Sequence, residues 1–160
     1  MSKYLNIFLS HSDKDMWYVP RVEEAASFVG ANVTHSTKGE GLSDRVMKGI
    51  EEAHFVLCIS TCYTMNLPEV QRELCYAKGQ GKLILPIAVG GCEPTGCMEG
   101  MRMLNFDESS TDGLVEGITE LFLGNDGWDT ETTFKAVFAT GAIVSALEQI
   151  FVESCINDQQ

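Results

Sequence analysis

The sequence predicts an α/β protein built on a doubly wound, five-stranded parallel sheet, with an extra helix at its C-terminal end. Three observations carry this reading. Short apolar runs alternate with segments of helical periodicity in the order βαβαβαβαβα, which implies a parallel sheet with helices on both faces. Two of the runs, His54–Ser60 (HFVLCIS) and Lys82–Val89 (KLILPIAV), are continuously apolar, as strands buried on both faces are. The first run, IFLSHSDKD from Ile7 to Asp15, stops abruptly in small polar and charged residues. Open α/β folds hold their ligands at that edge of the sheet.

Taken in order, Tyr4–Leu9 reads as the first strand. Met16, Val19, Val22, Ala26 and Val29 then recur at three- and four-residue steps, the pattern of an amphipathic helix. Pro20 leaves the start of that helix open, and Gly30 suits its end. Ala31–His35 is a short second strand, followed by a loop, STKGEG. Ser43 can cap a helix that carries Val46, Met47 and Ile50 on one face. After the HFVLCIS strand, Pro68 fits the first turn of a helix running to about Lys78. KLILPIAV is the fourth strand and MRMLNF, 101–106, a possible fifth. Leu114, Ile118, Leu121 and Phe122 mark the next helix, capped by Ser110 or Thr111. Residues 1–124 thus form one domain and 125–129 a linker. Residues 130–153 form an apolar helix and 154–160 a tail. The helix is apolar nearly all round, so it is buried on several sides, within its own chain or against another subunit. Its uninterrupted part, between Lys135 and Glu148, is too short for a membrane span of about 20 residues.

Composition narrows the function. The net charge of −12 argues against sequence-independent binding of DNA or RNA, and against anionic membranes. It leaves room for a nucleotide ligand, whose phosphate needs only local donors. MSKYLNIF lacks an apolar signal-peptide core, so a cytoplasmic location is expected. The six cysteines are Cys58, Cys62, Cys75, Cys92, Cys97 and Cys155; several fall in apolar runs and are expected as small core residues, and without secretion no disulfide framework is expected. Cys92 and Cys97 lack the second pair that a zinc site needs. The three His residues are too scattered for a metal, and His35 and His54 read as structural or surface residues. No metal site is expected.

The strand ends exclude the familiar nucleotide folds. SHSDKD has no glycine, so the dinucleotide-binding loop of a Rossmann domain is missing, and no GxxxxGK[ST] is present. A receiver domain would need an Asp at the end of the third strand, which here ends in CIST. One residue stands out. In PEVQRELCYA, Val70, Leu74 and Ala77 form the stripe that faces the sheet. Glu73 lies three residues from Val70 and four from Ala77, on that inward side. A carboxylate there is costly unless paired or used. Glu73 therefore either snorkels or pairs with a nearby Lys or Arg, or it carries chemistry. Ser12 or Asp13 can cap the next helix, and the polar run can equally serve a ligand.

Four segments in order resemble the boxes of the Toll/interleukin-1 receptor (TIR) domain. They are IFLSHSDKD, GEGLSDRVMKGIEEAHFVLCIS, CYTMNLPEVQREL and KLILPIAV. The resemblance covers Tyr4 to Phe122 and is closer to bacterial TIR proteins than to animal receptor adaptors. It implies a flavodoxin-like TIR fold. It also implies that Glu73, at the Glu of the family's EL, is the catalytic residue of an enzyme that cleaves NAD. Glu69, where the family often has Trp, is the rival. The resemblance further implies that Ser10, His11 and Ser12 lie beside Glu73 and bind the ribose or phosphates. Gly41, Leu42 and Ser43 belong to the loop that the family uses to close the site and to touch a neighbouring subunit. A helix starting at Ser43 would suit phosphate oxygens.

The expected function is therefore NAD cleavage, with NAD as substrate and no other cofactor. The products are nicotinamide with ADP-ribose, or a cyclic or conjugated ADP-ribose signal read by a downstream effector in prokaryotic, antiviral immunity. A homo-oligomer through TIR contacts and the final helix is expected. The alternative is a non-catalytic TIR scaffold that self-associates. A more distant option is an enzyme like the nucleoside deoxyribosyltransferases, which would turn over nucleosides but not NAD.

Overall fold

The computed structural model describes residues 5–61, 64, 66–89, 95–101, 104–105, 111–125 and 127–158, without the side chains of 60, 61, 89, 105, 111–115 and 150–158. Tyr4, Cys62, Cys92, Phe106 and Ser110, named above, lie outside the described residues, and of Thr111, Leu114 and Cys155 only the backbone is described.

Five parallel strands form one sheet in the order β2-β1-β3-β4-β5. They are β1 (Leu5–Ser10), β2 (Ala31–Thr34), β3 (Phe55–Thr61), β4 (Leu83–Val89) and the two-residue β5 (Leu104–Asn105). The helices are α1 (Val19–Phe28), α2 (Asp44–Glu52), α3 (Pro68–Gly79), α4 (Thr111–Leu123) and α5 (Thr130–Asp158). The expected doubly wound, flavodoxin-like sheet is therefore present. Chain order reverses between β1 and β3, so the crevice at their C-terminal ends is the topological switch point.

Alternation along each strand divides the core into two layers. Ile7, Leu9, Leu57, Ile59, Leu85 and Ile87 point to one face and pack with residues of α1, α4 and α5. Phe8, Val56, Cys58, Ile84 and Ala88 point to the other and pack with Val46 and Ile50 of α2 and Val70, Leu74 and Ala77 of α3. Burial on both faces explains why β3 and β4 read as unbroken apolar runs. On the first face Phe55, Phe122 and Trp128 form an aromatic cluster, with Phe122 and Trp128 centroids 5.4 Å apart.

Two boundaries differ from the sequence pattern. The periodic segment after β1 begins as a 3-10 helix, Asp13–Tyr18, and becomes α1 only at Val19, with Pro20 in its first turn. Proline lacks the N–H that a helix interior needs, so a change of helix type just before it is natural. The last helix runs to Asp158, beyond the end drawn from its apolar residues. It buries Ala136, Ala139, Ile143, Val144 and Leu147 in the α1/α4 layer, while Phe134 and Phe138 remain 69% and 62% exposed.

The cysteine expectation needs correction. Cys75, on the outer face of α3, is joined to Cys97 as a disulfide, with Cα atoms 5.4 Å apart. The cause is a 3-10 turn, Gly96–Met98, folded onto α3. Gln71 Oε1 accepts from the Cys97 amide at 3.0 Å. Gly96 has φ +59°, and a Cβ there would collide with the Gln71 amide, so glycine permits the close approach. Cys58 is the small core residue that was expected, a buried thiol.

Closing a loop of 22 residues' separation should stabilise the chain by about 3 kcal/mol. Urea denaturation with and without reductant measures this. The parent should lose about that much on reduction, and Cys97→Ser should show no response to reductant.

Candidate active site

The C-terminal ends of β1 and β2 and the first half of α3 enclose a cavity of about 160 Å³, lined by Asp13, Ser36, Gly41, Glu69, Arg72 and Glu73 among others. Each wall has a local cause. Pro68 at the first turn starts α3 and sets its phase. That phase sends Val70, Leu74 and Ala77 into the core and carries Glu73 in with them, 3% exposed. Glu69 lies one turn earlier, at the lip.

Glu73 is met by two hydroxyls. Ser10, the last residue of β1, donates to its Oε1 at 2.9 Å, and Ser36, just past β2, is a second hydrogen-bond partner. Burial pushes the Glu73 carboxyl up to about 7. The two serines oppose that shift, while the negative charges of Glu69 and Asp13 add to it. Desolvation is thus the main cause of the shift, with like charge as the lesser contribution. A carboxyl raised by burial in a crevice makes this a candidate functional site on physical grounds.

Ser12 serves two ends. Its hydroxyl accepts from the Lys14 amide at 3.1 Å, capping the 3-10 helix, and donates to Glu69 Oε1 at 3.2 Å. The capping and site readings of Ser12 are thus compatible. The Asp13 amide also reaches Glu69 Oε1, at 3.4 Å.

His11 is buried and faces sideways. Its Nδ1 lies 2.8 Å from the Ser12 carbonyl oxygen and its Nε2 lies 3.3 Å from His35 Nδ1. Burial holds its pKa below the ordinary histidine value. His35 in turn approaches Glu23 at 3.6 Å. The structure thus places His11 behind the cavity wall. Nearby Asp15 is buried, and its Oδ2 has no hydrogen-bond partner among the described residues. Burial raises its pKa.

The loop after β2 is tied down by one carboxylate. Glu40 accepts from the Thr37 amide at 2.9 Å, from the Thr37 hydroxyl at 3.1 Å, from the Ser43 hydroxyl at 2.6 Å and from Arg45 Nε at 2.9 Å. Arg45 also donates to the His35 carbonyl at 2.9 Å. Charge-assisted bonds of this kind are the strong ones, and Arg45 first, then Ser43, hold Glu40 well below the usual carboxylate range. Gly41, at φ +64°, lets the tied loop turn over the cavity. Ser43 also caps α2, its oxygen accepting from the Val46 amide at 3.2 Å. Its hydroxyl is therefore engaged with Glu40 and the helix. Leu42 lines a neighbouring groove and not this cavity.

The structure thus brings Ser10, Ser12, Gly41 and Glu73 together with Glu69. Ser36, Glu40, Arg45 and Arg72 are additional. Glu40 and Arg45, five apart across a glycine and a cap, are the one signal in the sequence that foretells the tied loop. Among the described residues no group of His, Cys, Asp and Glu could hold a metal ion.

The parallel order β2-β1-β3-β4-β5 is that of a flavodoxin-like, doubly wound sheet, with an inward Glu on α3 meeting the serine that ends β1. No protein-family model matches the chain, and no curated protein does. Among solved structures it is similar to the TIR domains in a structure of the activated Roq1 resistosome directly recognizing the pathogen effector XopQ. That likeness covers 93% of this chain and 98% of the other, at 14% identity and a TM-score of 0.46. No described helix is long and apolar enough to cross a membrane.

The raised pKa has a consequence for stability. Below about pH 4.5, the ordinary glutamate value, Glu73 is protonated folded and unfolded, and burial has no charge to oppose. Between 4.5 and about 7 the unfolded chain ionises first, so stability falls as pH rises. The loss is complete above 7 and amounts to about 3 kcal/mol. Urea melts of Glu73→Gln should therefore gain on the parent by about that much between pH 4 and 8. A constant difference across this range would show that Glu73 titrates normally.

Proposed function

We propose that this chain is an NAD-cleaving enzyme that breaks the bond between nicotinamide and ribose, with Glu73 as the catalytic residue. The observation that carries the reading is the carboxyl of Glu73, buried at the switch point, hydrogen-bonded by Ser10 and Ser36 and open to a small acidic cavity. The nicotinamide of NAD is a cationic leaving group. It departs with the electron pair of the C–N bond and becomes neutral, so no strong general acid is required. What the site must supply is stabilisation of an oxocarbenium-like sugar, as in glycoside hydrolysis. An ionised Glu73, in a water-poor setting with fixed hydroxyls beside it, opposes the developing positive charge and hydrogen-bonds the ribose. Water attack then gives ADP-ribose and a proton. Attack by an adenine nitrogen or another bound nucleophile gives a cyclic or conjugated product. Such a product suits a signal sensed by a downstream effector in prokaryotic immune defence, in the cytoplasm. In that reducing compartment Cys75 and Cys97 would be held as thiols.

One observation favours a second reading, a TIR scaffold that acts by self-association. Phe134 and Phe138 stack with centroids 6.2 Å apart on the exposed side of α5, and Leu123 at the end of α4 is 68% exposed. A second copy of this chain would cover them. The two readings also combine, as an enzyme active in its oligomer.

Nicotinamide release from NAD by concentrated protein, with the oligomeric state measured alongside, tests the enzyme reading. The parent should release nicotinamide, and Glu73→Gln should lower the rate on the order of 10²- to 10⁴-fold. Glu69→Gln should retain most of it. A greater loss in Glu69→Gln than in Glu73→Gln would transfer the role to Glu69, and turnover of nucleosides without NAD would move the chain to the deoxyribosyltransferase class. The ionised form of Glu73 is the active one, so kcat/KM should rise with pH through about 7. A rate flat from pH 5 to 9 contradicts that assignment.

A further inference from the structure

The cavity at Glu73 is too small for the whole of the substrate proposed above. At about 160 Å³ it falls below the roughly 300–1,000 Å³ of ordinary small-molecule pockets, and a dinucleotide is a large ligand. The cavity also has the wrong charge for phosphates. Asp13, Glu69 and Glu73 line it, which suits the cationic nicotinamide riboside end and repels a diphosphate. The rest of the molecule must leave across a cationic rim and settle on a different surface.

Such a surface adjoins the cavity. A groove of about 550 Å³ runs along the outer face of α3, lined by Leu42, Pro68, Gln71, Arg72, Cys75 and Tyr76. Arg72 belongs to both hollows. Gly41 lines the inner one and the next residue, Leu42, lines the outer one. The two are therefore neighbours, divided by the tied loop and the Arg72 side chain. Pro68, Arg72 and Tyr76 recur at four-residue steps and share one stripe of the helix.

We infer that this outer groove is the subsite for the adenine end of the dinucleotide, with Arg72 holding the diphosphate between the two hollows. The inference rests on the reading of Glu73 given above. Arg72 Nε donates to the Pro68 carbonyl at 3.2 Å, which anchors the guanidinium on the rim, and its terminal nitrogens carry four more donors suited to phosphate oxygens. The groove beyond is mostly carbon and sulfur, as the site of a flat heteroaromatic ring should be. Tyr76 donates its hydroxyl to Glu51 Oε1 at 2.5 Å, so its ring is held from the far end. A purine stacks on such a fixed ring without ordering it further. The Gln71 bonds to residues 95 and 97 fix the remaining wall, with Cys75 and Cys97 as thiols or as a disulfide.

Calorimetric titration of the full chain with AMP tests the subsite without requiring turnover, and ribose 5-phosphate is the control that lacks the base. AMP should bind more tightly than ribose 5-phosphate. Tyr76→Ala should weaken AMP roughly tenfold, the effect of one lost stacking contact. Arg72→Ala should weaken AMP and ribose 5-phosphate alike. Should Tyr76→Ala fail to fold, Leu42→Ala on the opposite wall should show the same selective loss of AMP. No saturable AMP binding by the parent, or equal binding by parent and groove variants, overturns the inference. NAD cleavage by the parent is read separately. AMP binding without NAD cleavage would count against Glu73 as an NAD-cleaving residue while leaving the adenine subsite standing.

Discussion

The site depends on a carboxylate forced out of water by the packing of one helix. Val70, Leu74 and Ala77 must enter the layer between α3 and the sheet for the fold to close, and Glu73 shares their face. An isolated charge there would be costly. The chain meets that cost in two ways. Ser10 and Ser36, from the ends of neighbouring strands, offer hydroxyls, and the carboxyl shifts upward so that it is part protonated near neutral pH. Strand order makes this possible. Because β1 and β2 are adjacent and parallel, their C-terminal ends deliver both serines to the same crevice.

The second constraint is on the loop that forms the opposite wall. Surface loops are usually free to move, yet Glu40 accepts from Thr37, Ser43 and Arg45 together. One carboxylate thus binds the start of the loop to its end and to the first turn of α2. That fixes Gly41 over Glu73 and Leu42 over the outer face of α3. Preorganised walls reduce the ordering a ligand must impose. The same logic applies on the far side of α3, where Gln71, joined by the disulfide when it is oxidised, holds the Gly96–Met98 turn. The face of α3 that bears Arg72 and Tyr76 is rigid between two pinned segments.

Much of this was legible in the sequence because parallel sheets write themselves plainly. Continuous apolar runs marked β3 and β4, and a polar stop marked the end of β1. Glu73 showed itself by standing on an apolar stripe, which is a local property of one helix. Ser10 and Ser12 were legible for the same reason, as the residues where a buried strand ends. Ser36 was not, since only the pairing of β1 with β2 brings it within reach of α3. The Cys75–Cys97 bond was hidden likewise, because it depends on the turn at Gly96 folding back on α3 across 22 residues. His11 sat in the right stretch, but alternation along the chain turned it toward His35. The outer groove was invisible in principle, being formed by one residue of a loop and one face of a helix.

The account stands on the state of one group, and carbon-13 NMR of the Glu73 side-chain carboxyl, assigned through Glu73→Gln, observes it directly. Titrated across neutral pH in the folded chain, the carboxyl should show a midpoint near 7, displaced further upward in Ser10→Ala, where a hydrogen bond to the ionised form is gone. A midpoint near 4.5, the ordinary glutamate value, would mean that the carboxylate is well solvated, and the desolvated carboxylate on which this mechanism rests would not exist.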